Sequence, residues 1–331
     1  MRKKHGNVPA YLSTKRLPFD FIKRLDDIIP KEKRTKVLEV FSQERPTTFR
    51  VNTLKANPYD IYAKIKSYKI PLQRVNWEKN AFILPVNFKH KIVKTDEYLK
   101  GLIYLQSLSS MIPALILDPR RNEKILDICA APGSKTTQMA ALMENSGEVV
   151  ANDINQIRLL KLEANLKLQE VKNVIVTKMP AEIIWLKIPE AVDKTLVDAP
   201  CSMEGRFDTY DPKTYNHWST KKVSYLSKHQ KWILRSAVSA TKVGGIIVYS
   251  TCTLAPEENE GVIDWILNKE KGVLTVEKIS LPNFDFEAPL LGFKDKNFDP
   301  RIKNTVRILP TALMEGFFIA KLRKIKSNIK K

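Results

Sequence analysis

The chain has 331 residues, 43% hydrophobic and 28% charged, which supports a sizeable core and excludes wholesale disorder. Its 56 Lys and Arg against 36 Asp and Glu give a formal net charge of +20, which points to nucleic acid as the partner, with a Lys-rich proteome bias as the alternative. No apolar run approaches the roughly 18 residues of a membrane span, and the basic start "MRKKHGNVPAYLSTKRLPFD" lacks the apolar segment of a secretory signal, so a cytoplasmic protein free of the membrane is expected.

Apolar residues recur at helical spacing in "LPFDFIKRLDDIIP" and "KVLEVFSQE", which predicts short amphipathic helices. "RPTTFRVNTLK" is β-rich, "DIYAKIKSYKI" reads as a helix ending near Pro71, and "GLIYLQSLSSMIPALIL" as a strand or turn followed by a helix. From about Asn122 strands and helices alternate. "KILDI", "GEVVANDI", "NVIVTKM", "DKTLVDA" and "GGIIVYST" are strands; "SKTTQMAALM", "NQIRLLKLEANLKLQ", "SKHQKWILRSAVSATK" and "EENEGVIDWILNKE" are helices. This order predicts an α/β fold with a mostly parallel, doubly wound sheet. Residues 1–95 are expected to form a smaller N-terminal α+β region and 96–331 the sheet domain.

In such sheets ligands sit beyond the carboxyl ends of the strands. Cys129, Asp153, Asp198, Cys201 and Cys252 all fall at or just after predicted strand ends. The three cysteines form no C-x-x-C pair, so neither a disulfide framework nor a zinc site is expected, and no metal is called for. A lone cysteine is ordinarily a buried apolar residue; the shared position at strand ends makes these candidates for reactive thiols.

"ILDICAAPGSKTTQMA" is a strand, a tight Ala-Pro-Gly turn and a helix whose first N–H groups are free for an anionic group. A dinucleotide site would want G-x-G-x-x-G, and only Gly133 is present. Asp153 ends the next strand, about 20 residues on, where an acidic side chain meets ribose hydroxyls. Loop and acid together suit a nucleoside cofactor without pyrophosphate, such as S-adenosylmethionine, against the alternative of a plain strand–helix turn. Cys129, Ala130, Ala131, Pro132, Gly133, Ser134, Lys135, Asp153 and Asp198 are the expected cofactor-binding residues.

"DICAAPGSKTT", "DAPCS" and "GGIIVYSTCTLAPEENE", in this order and spacing, resemble the motifs of the Fmu/Sun family of RNA cytosine-5 methyltransferases. Further similarity in "RPTTFRVNTLK", "YLQSLSSMIPALILDP" and "RILPTALMEGFFIAKL" extends the resemblance from about Arg45 to Lys324. It implies a Rossmann-like methyltransferase sheet preceded by an RNA-contacting region, with S-adenosylmethionine as cofactor, tRNA or rRNA as partner and a monomeric enzyme. Three positions depart from the family pattern. Ser134 replaces a second loop glycine, which predicts a slightly altered turn; Pro180 stands where an Asp usually faces the adenine; Met203 replaces the Gly after "DAPCS". The pseudouridine-synthase-type domain often appended in the family has no room here.

Carbon 5 of cytosine is a poor nucleophile. A thiolate adding to carbon 6 turns the ring into an enamine that attacks the cofactor methyl, and cysteine suits that covalent chemistry. DNA cytosine-5 methyltransferases use a Pro-Cys pair, matched by Pro200–Cys201; the Fmu/Sun family uses a Thr-Cys pair, matched by Thr251–Cys252. The resemblance therefore implies Cys252 as nucleophile, Cys201 as base or release group, and Asp198 as the acid bonding N3 or the N4 amine. A DNA enzyme or a non-catalytic RNA-binding protein retaining the fold are the alternatives; no target-recognition insertion is visible for the first, and both thiols with Asp198 argue against the second. Glu257 and Glu258 read as capping and dipole residues, with Asn259 a candidate for holding the loop. Lys135 suits either an anionic ligand or plain solvation, and Trp218 either base stacking or the core.

Overall fold

The computed structural model describes residues 16–329. Most of the basic N-terminal stretch and the last two lysines of the tail lie outside the described residues. Helices α1 (Phe19–Ile28) and α2 (Lys31–Val40) each follow a proline, Pro18 and Pro30, whose fixed φ suits a helix start. Phe21, Leu25 and Ile28 recur at helical spacing and are buried. They pack with Phe41 against Phe207, Tyr215, Trp218 and Leu254, so both helices rest on the sheet domain's loops.

A four-stranded antiparallel sheet follows, in the order β2-β3-β1-β4, from β1 (Thr47–Val51), β2 (Gln73–Val75), β3 (Glu78–Leu84) and β4 (Ile103–Leu105). Helix α3 (Pro58–Ser67), capped by Asn57 accepting from the Tyr59 N–H at 2.8 Å, packs Ile61 and Ile65 under this sheet, and α4 (Lys89–Ile92) and α5 (Asp96–Leu99) complete the region. The β2–β3 hairpin escapes a sequence reading because "QRVNWEKNAFIL" has no glycine turn and β3 does not alternate cleanly. Strand β4 lies beyond residue 95, yet pairs with β1 in this sheet, with Phe49 opposite Leu105.

Helix α6 (Leu108–Leu117) leads into the central sheet. Its elements are β5 (Lys124–Asp127), α7 (Ser134–Leu142), β6 (Glu148–Asn152), α8 (Gln156–Leu168), β7 (Val174–Thr177), β8 (Val192–Asp198), α9 (Thr220–Ala240), β9 (Thr241–Thr251), α10 (Glu260–Lys269) and β10 (Leu274–Glu277). A short hairpin of β11 (Gly292–Phe293) and β12 (Lys296–Asn297) precedes β13 (Val306–Ile308) and β14 (Phe317–Lys324). Strand order is β10-β14-β9-β8-β5-β6-β7, with β13 on β14. Strands β5 to β9 are parallel, as expected; β14 runs antiparallel to β9 and mixes the sheet. Apolar clusters cover both faces, Leu126, Val197, Tyr249 and Phe318 on one and Ile125, Leu196, Val248 and Ile319 on the other. The order reverses between β5 and β8, which makes the crevice above their carboxyl ends the place for a ligand. Among the described residues no helix is long and apolar enough to cross a membrane, and no group of three or more His, Cys, Asp or Glu side chains is arranged to hold a metal ion.

Candidate active site

The β5–α7 turn is built around Gly133, whose φ of 104° favours glycine. A Cβ there would also meet Leu162 Cδ1 at 2.6 Å, so the residue lets α8 close on the turn. Ser134 is the first residue of α7, directly after Gly133. A positive φ appears also at Met203, 60°, in the loop after β8. There Gly205 N–H donates to the Cys252 carbonyl at 3.0 Å and Gly316 N–H to the Gly205 carbonyl at 3.0 Å. A Cβ on Gly205 would meet the Gly316 carbonyl oxygen at 2.2 Å, so only glycine allows these loops to touch.

Strands β8 and β9 are adjacent and parallel, with Asp198 opposite Ser250. Their carboxyl ends therefore deliver Cys201 and Cys252 side by side, with Sγ atoms 3.3 Å apart. The hydrogen bond to Cys252 and burial push the Cys201 thiol well above its ordinary pKa. Asp198 accepts from Lys135 Nζ at 2.7 Å and from the Ser250 hydroxyl at 2.9 Å, and Lys135 also donates to Ser110 Oγ at 2.7 Å. Lys135 is thus a buried ion-pair partner of the candidate acid, with Phe317 beneath it, and the solvation alternative falls.

Two cavities meet here, sharing Ala131, Arg158, Asp198, Ala199 and Cys252. One, about 560 Å³, lies over β5 and β6 and is lined by Cys129, Asp153 and Cys201 as well. Asp153 Oδ1 accepts from the Asn155 N–H at 2.9 Å, while its buried Oδ2 has no hydrogen-bond partner and only Arg158 Nη1 nearby, at 3.1 Å. Burial raises the Cys129 thiol, which packs against the sheet's core. The second cavity, about 570 Å³, opens between the two sheets, and Arg45, Lys89, Arg158 and Arg206 give its wall a basic character. Pro132, Ser134 and Lys135 line this second cavity; Ala130 and Gly133 line neither and shape the turn. Pro180 caps a short 3-10 helix, and the acid nearest its place is Glu182, on the cavity wall with His229 Nδ1 3.0 Å away.

Several site residues have no signal in the sequence. Arg50 of β1 reaches across to α7, donating to Thr137 Oγ1 at 2.6 Å and to the Ser134 carbonyl at 3.2 Å, and burial lowers its pKa to about 10. Glu258 is no capping residue: it is buried beneath the Cys201 loop, and burial with Glu204 nearby raises it to about 8. Glu257 pairs with Arg24 at 2.7 Å. Asn259 does hold the loop, accepting from Thr251 Oγ1 at 2.5 Å and donating to the Thr253 carbonyl at 3.0 Å. Trp218 is a core residue, packed on Phe21 with its indole N–H on Glu204.

A mostly parallel sheet that switches direction beside a nucleoside-sized cavity, with paired thiols and an acid at the adjoining opening, fits the class of methyltransferases that act on nucleobases. Comparison with known proteins agrees: residues 114–323 match the family model for 16S rRNA methyltransferase RsmB/F, and residues 17–108 the N-terminal domain of 16S rRNA methyltransferase RsmF. The chain belongs to the RsmB/F methyltransferase family. It is 39% identical over 283 residues to the tRNA (cytosine(49)-C(5))-methyltransferase of Pyrococcus abyssi, covering 85% of this chain and 88% of that one. It is 36% identical to ribosomal RNA small subunit methyltransferase F of Vibrio cholerae over 94% of its own length, but spans only 64% of that relative. The crystal structure of a methyltransferase homolog from Pyrococcus horikoshii superposes with a TM-score of 0.82 at 34% identity, covering 96% of this chain and 99% of that one.

Proposed function

We propose that the protein methylates carbon 5 of a cytosine in tRNA or rRNA, with S-adenosylmethionine as donor and Cys252 as nucleophile. The observation that carries this reading is the pair of thiols at the junction of the two cavities, beside the Lys135–Asp198 ion pair. The relatives' activities on cytosine C5 of tRNA and on ribosomal RNA support RNA over DNA.

The residues present fit the cofactor. Asp153 offers ribose hydroxyls a buried carboxylate oxygen that accepts no hydrogen bond and has only the Arg158 ion pair, and the cavity has the size of a small-molecule site. Bound there, S-adenosylmethionine supplies an electrophilic methyl group. The second cavity, with its arginines and lysine, suits the nucleotide, and Cys252 lines it while Cys201 does not. The four-stranded sheet contributes Thr47, Thr48 and Tyr104 to that wall, and the segment before it Arg45, which supports an RNA-contacting role for the N-terminal region.

Cys252 adds to carbon 6 of the target base, which loads electron density onto carbon 5. Asp198, held by Lys135 and Ser250, accepts from the N4 amine or a protonated N3 of the base edge, which orients the ring and favours the N3-protonated adduct, in which the negative charge brought by the thiolate is neutralised. Cys252 attacks as the thiolate with the Cys201 thiol beside it. After methyl transfer Cys201, having given its own proton to water, takes the proton from carbon 5. The electron pair left behind re-forms the 5,6 double bond as the bond from carbon 6 to sulfur breaks, and Cys252 leaves as thiolate.

The two thiols then fail differently when removed. Cys252→Ala should form no RNA-linked species and transfer no methyl group. Cys201→Ala should transfer methyl but not release, and accumulate a protein–RNA band that survives a denaturing gel of radiolabelled cellular RNA. The reverse pattern would exchange the roles, and full activity in both variants would remove covalent catalysis by these thiols.

A further inference from the structure

The residues that follow the two cysteines are joined to each other. Ser202 Oγ and Thr253 Oγ1 lie 2.7 Å apart, both fully buried. Each cysteine also sits between two pinned neighbours. On the Cys201 loop, Gln230 Nε2 donates to the Pro200 carbonyl at 2.8 Å, and Ser202 N–H donates to Glu258 Oε2 at 3.0 Å. On the Cys252 loop, Asn259 bridges Thr251 and the Thr253 carbonyl, and Glu204 Oε2 accepts from Thr253 Oγ1 at 3.0 Å and from the Leu254 N–H at 3.2 Å. Gln230 closes the frame by donating to Glu258 Oε2 at 2.7 Å.

The protons can be counted. Three hydrogen bonds run in a row, from Glu258 Oε1 through Ser202 Oγ and Thr253 Oγ1 to Glu204 Oε2. Two hydroxyls supply two protons, so the third must sit on a carboxyl at one end. Glu258 Oε1 is the end with a single hydrogen-bond partner, since the Ser202 and Gln230 N–H groups both go to Oε2. A proton on Oε1 gives the row one direction, Glu258 to Ser202 to Thr253 to Glu204; burial raises both end carboxyls, so the hydrogen-bond partners and not the shifts select that end.

We propose that Ser202 and Thr253 are positioning residues, and that the hydrogen bond between their hydroxyls sets the separation of the Cys201 and Cys252 thiols. The catalytic consequence rests on the functional reading above; the geometric claim does not. A fixed thiol pair has a high effective concentration of one sulfur at the other, which thiol–disulfide exchange measures directly. With oxidised glutathione, one cysteine displaces a glutathione thiolate to form a mixed disulfide. The other then attacks that bond, closes Cys201–Cys252 and releases the second glutathione; the two thiol protons end on the two glutathiones, which carry the two electrons.

The test is the equilibrium constant for this disulfide in a glutathione buffer, with the 201–252 bond identified by peptide mass mapping. Thr253→Val should lower the constant about tenfold, the size of one lost buried hydrogen bond, while Thr253→Ser, which keeps the hydroxyl, should stay within about twofold of wild type. Ser202→Ala should repeat the loss from the other side and serves if Thr253→Val does not fold. A wild-type constant in a folded Thr253→Val or Ser202→Ala protein overturns the proposal. Methylation of bulk cellular RNA is read on the same proteins. There Thr253→Val should lower kcat and leave KM for RNA in place, with Thr253→Ser rescuing it. An unchanged kcat beside a lowered exchange constant would remove the catalytic consequence. If the wild type methylates no RNA, the functional reading fails while the exchange result still decides the geometry.

Discussion

Asp153 gives one carboxylate oxygen to the start of α8, through Asn155, and leaves the other buried at the cavity with an ion pair to Arg158 but no hydrogen bond. That oxygen has capacity left to accept from a ligand hydroxyl in the cavity. Asp153→Ala should therefore weaken S-adenosylmethionine binding by about tenfold or more, the range of a hydrogen bond to a charged group. Isothermal calorimetry checks this, and wild-type affinity in the variant would show that the ribose is held elsewhere. Asp153 was legible in the sequence because it ends a strand at a fixed distance from the Ala-Pro-Gly turn. Arg158, five residues on, was not, since a basic residue on an amphipathic helix reads as solvated until the fold sets it against the Ala131 carbonyl.

The turn into α10 shows how one element divides three carboxyls. Glu257 pairs with Arg24 on α1, Glu258 lies under the Cys201 loop, and Glu260 is paired with Arg307 on β13 at 2.6 Å. Glu260 and Arg307 are almost entirely buried, and Arg307 also donates to the Leu254 carbonyl at 3.0 Å, two residues past Cys252. Removing one partner of such a pair strands a buried charge, so Arg307→Met should cost about 3–5 kcal/mol. Glu257→Gln, at a more accessible pair and with an amide that keeps one acceptor for Arg24, should cost less, about 1–2 kcal/mol. Urea unfolding of the two variants measures the contrast, and equal costs would mean that Glu260 finds another partner. In the sequence "APEENEG" all three acids look like helix-start residues; only packing of α1 and β13 against the turn separates them. The helix itself starts at Glu260, three residues later than its acidic run suggests.

At the scale of the molecule, two buried acids outside the ion pairs give stability a pH dependence. Burial raises Asp127 to about 7, and burial with neighbouring Glu204 raises Glu258 to about 8, both above their unfolded values. Below the unfolded values both states hold these protons and the contribution is full. As pH rises from 3.8 to about 7 for Asp127 and from 4.5 to about 8 for Glu258, the unfolded chain releases the proton that the folded chain keeps, so stability falls by up to about 1.4 kcal/mol per pH unit for each group. Gln at 258 mimics the protonated acid. The stability of wild type relative to Glu258→Gln should therefore decline from pH 5 to pH 8 in parallel melts, and a constant difference would mean that Glu258 is ionised throughout. The N-terminal sheet is tied to the β5–α7 turn through Arg50, which joins β1 to the first turn of α7. The excess of positive charge is a property of the whole chain, and the structure turns part of it into the basic wall beside Cys252.

The sequence by itself determined the alternation of strands and helices, the mostly parallel character of the sheet, the turn at Ala130–Gly133 and the strand-end positions of Asp153, Asp198, Cys201 and Cys252. These are local or periodic features: apolar period, turn chemistry and spacing act within a few residues and can be read there. The tertiary structure alone decided that β8 and β9 are neighbours, and hence that two thiols 51 residues apart meet at 3.3 Å. It alone decided that Lys135 pairs with Asp198, that β4 belongs with β1, and that Trp218 lies in the core with α1. The cause is the same each time: a hydrogen bond or ion pair between distant segments leaves no periodicity in either, and forms only once burial of the apolar faces has fixed where each strand end lies.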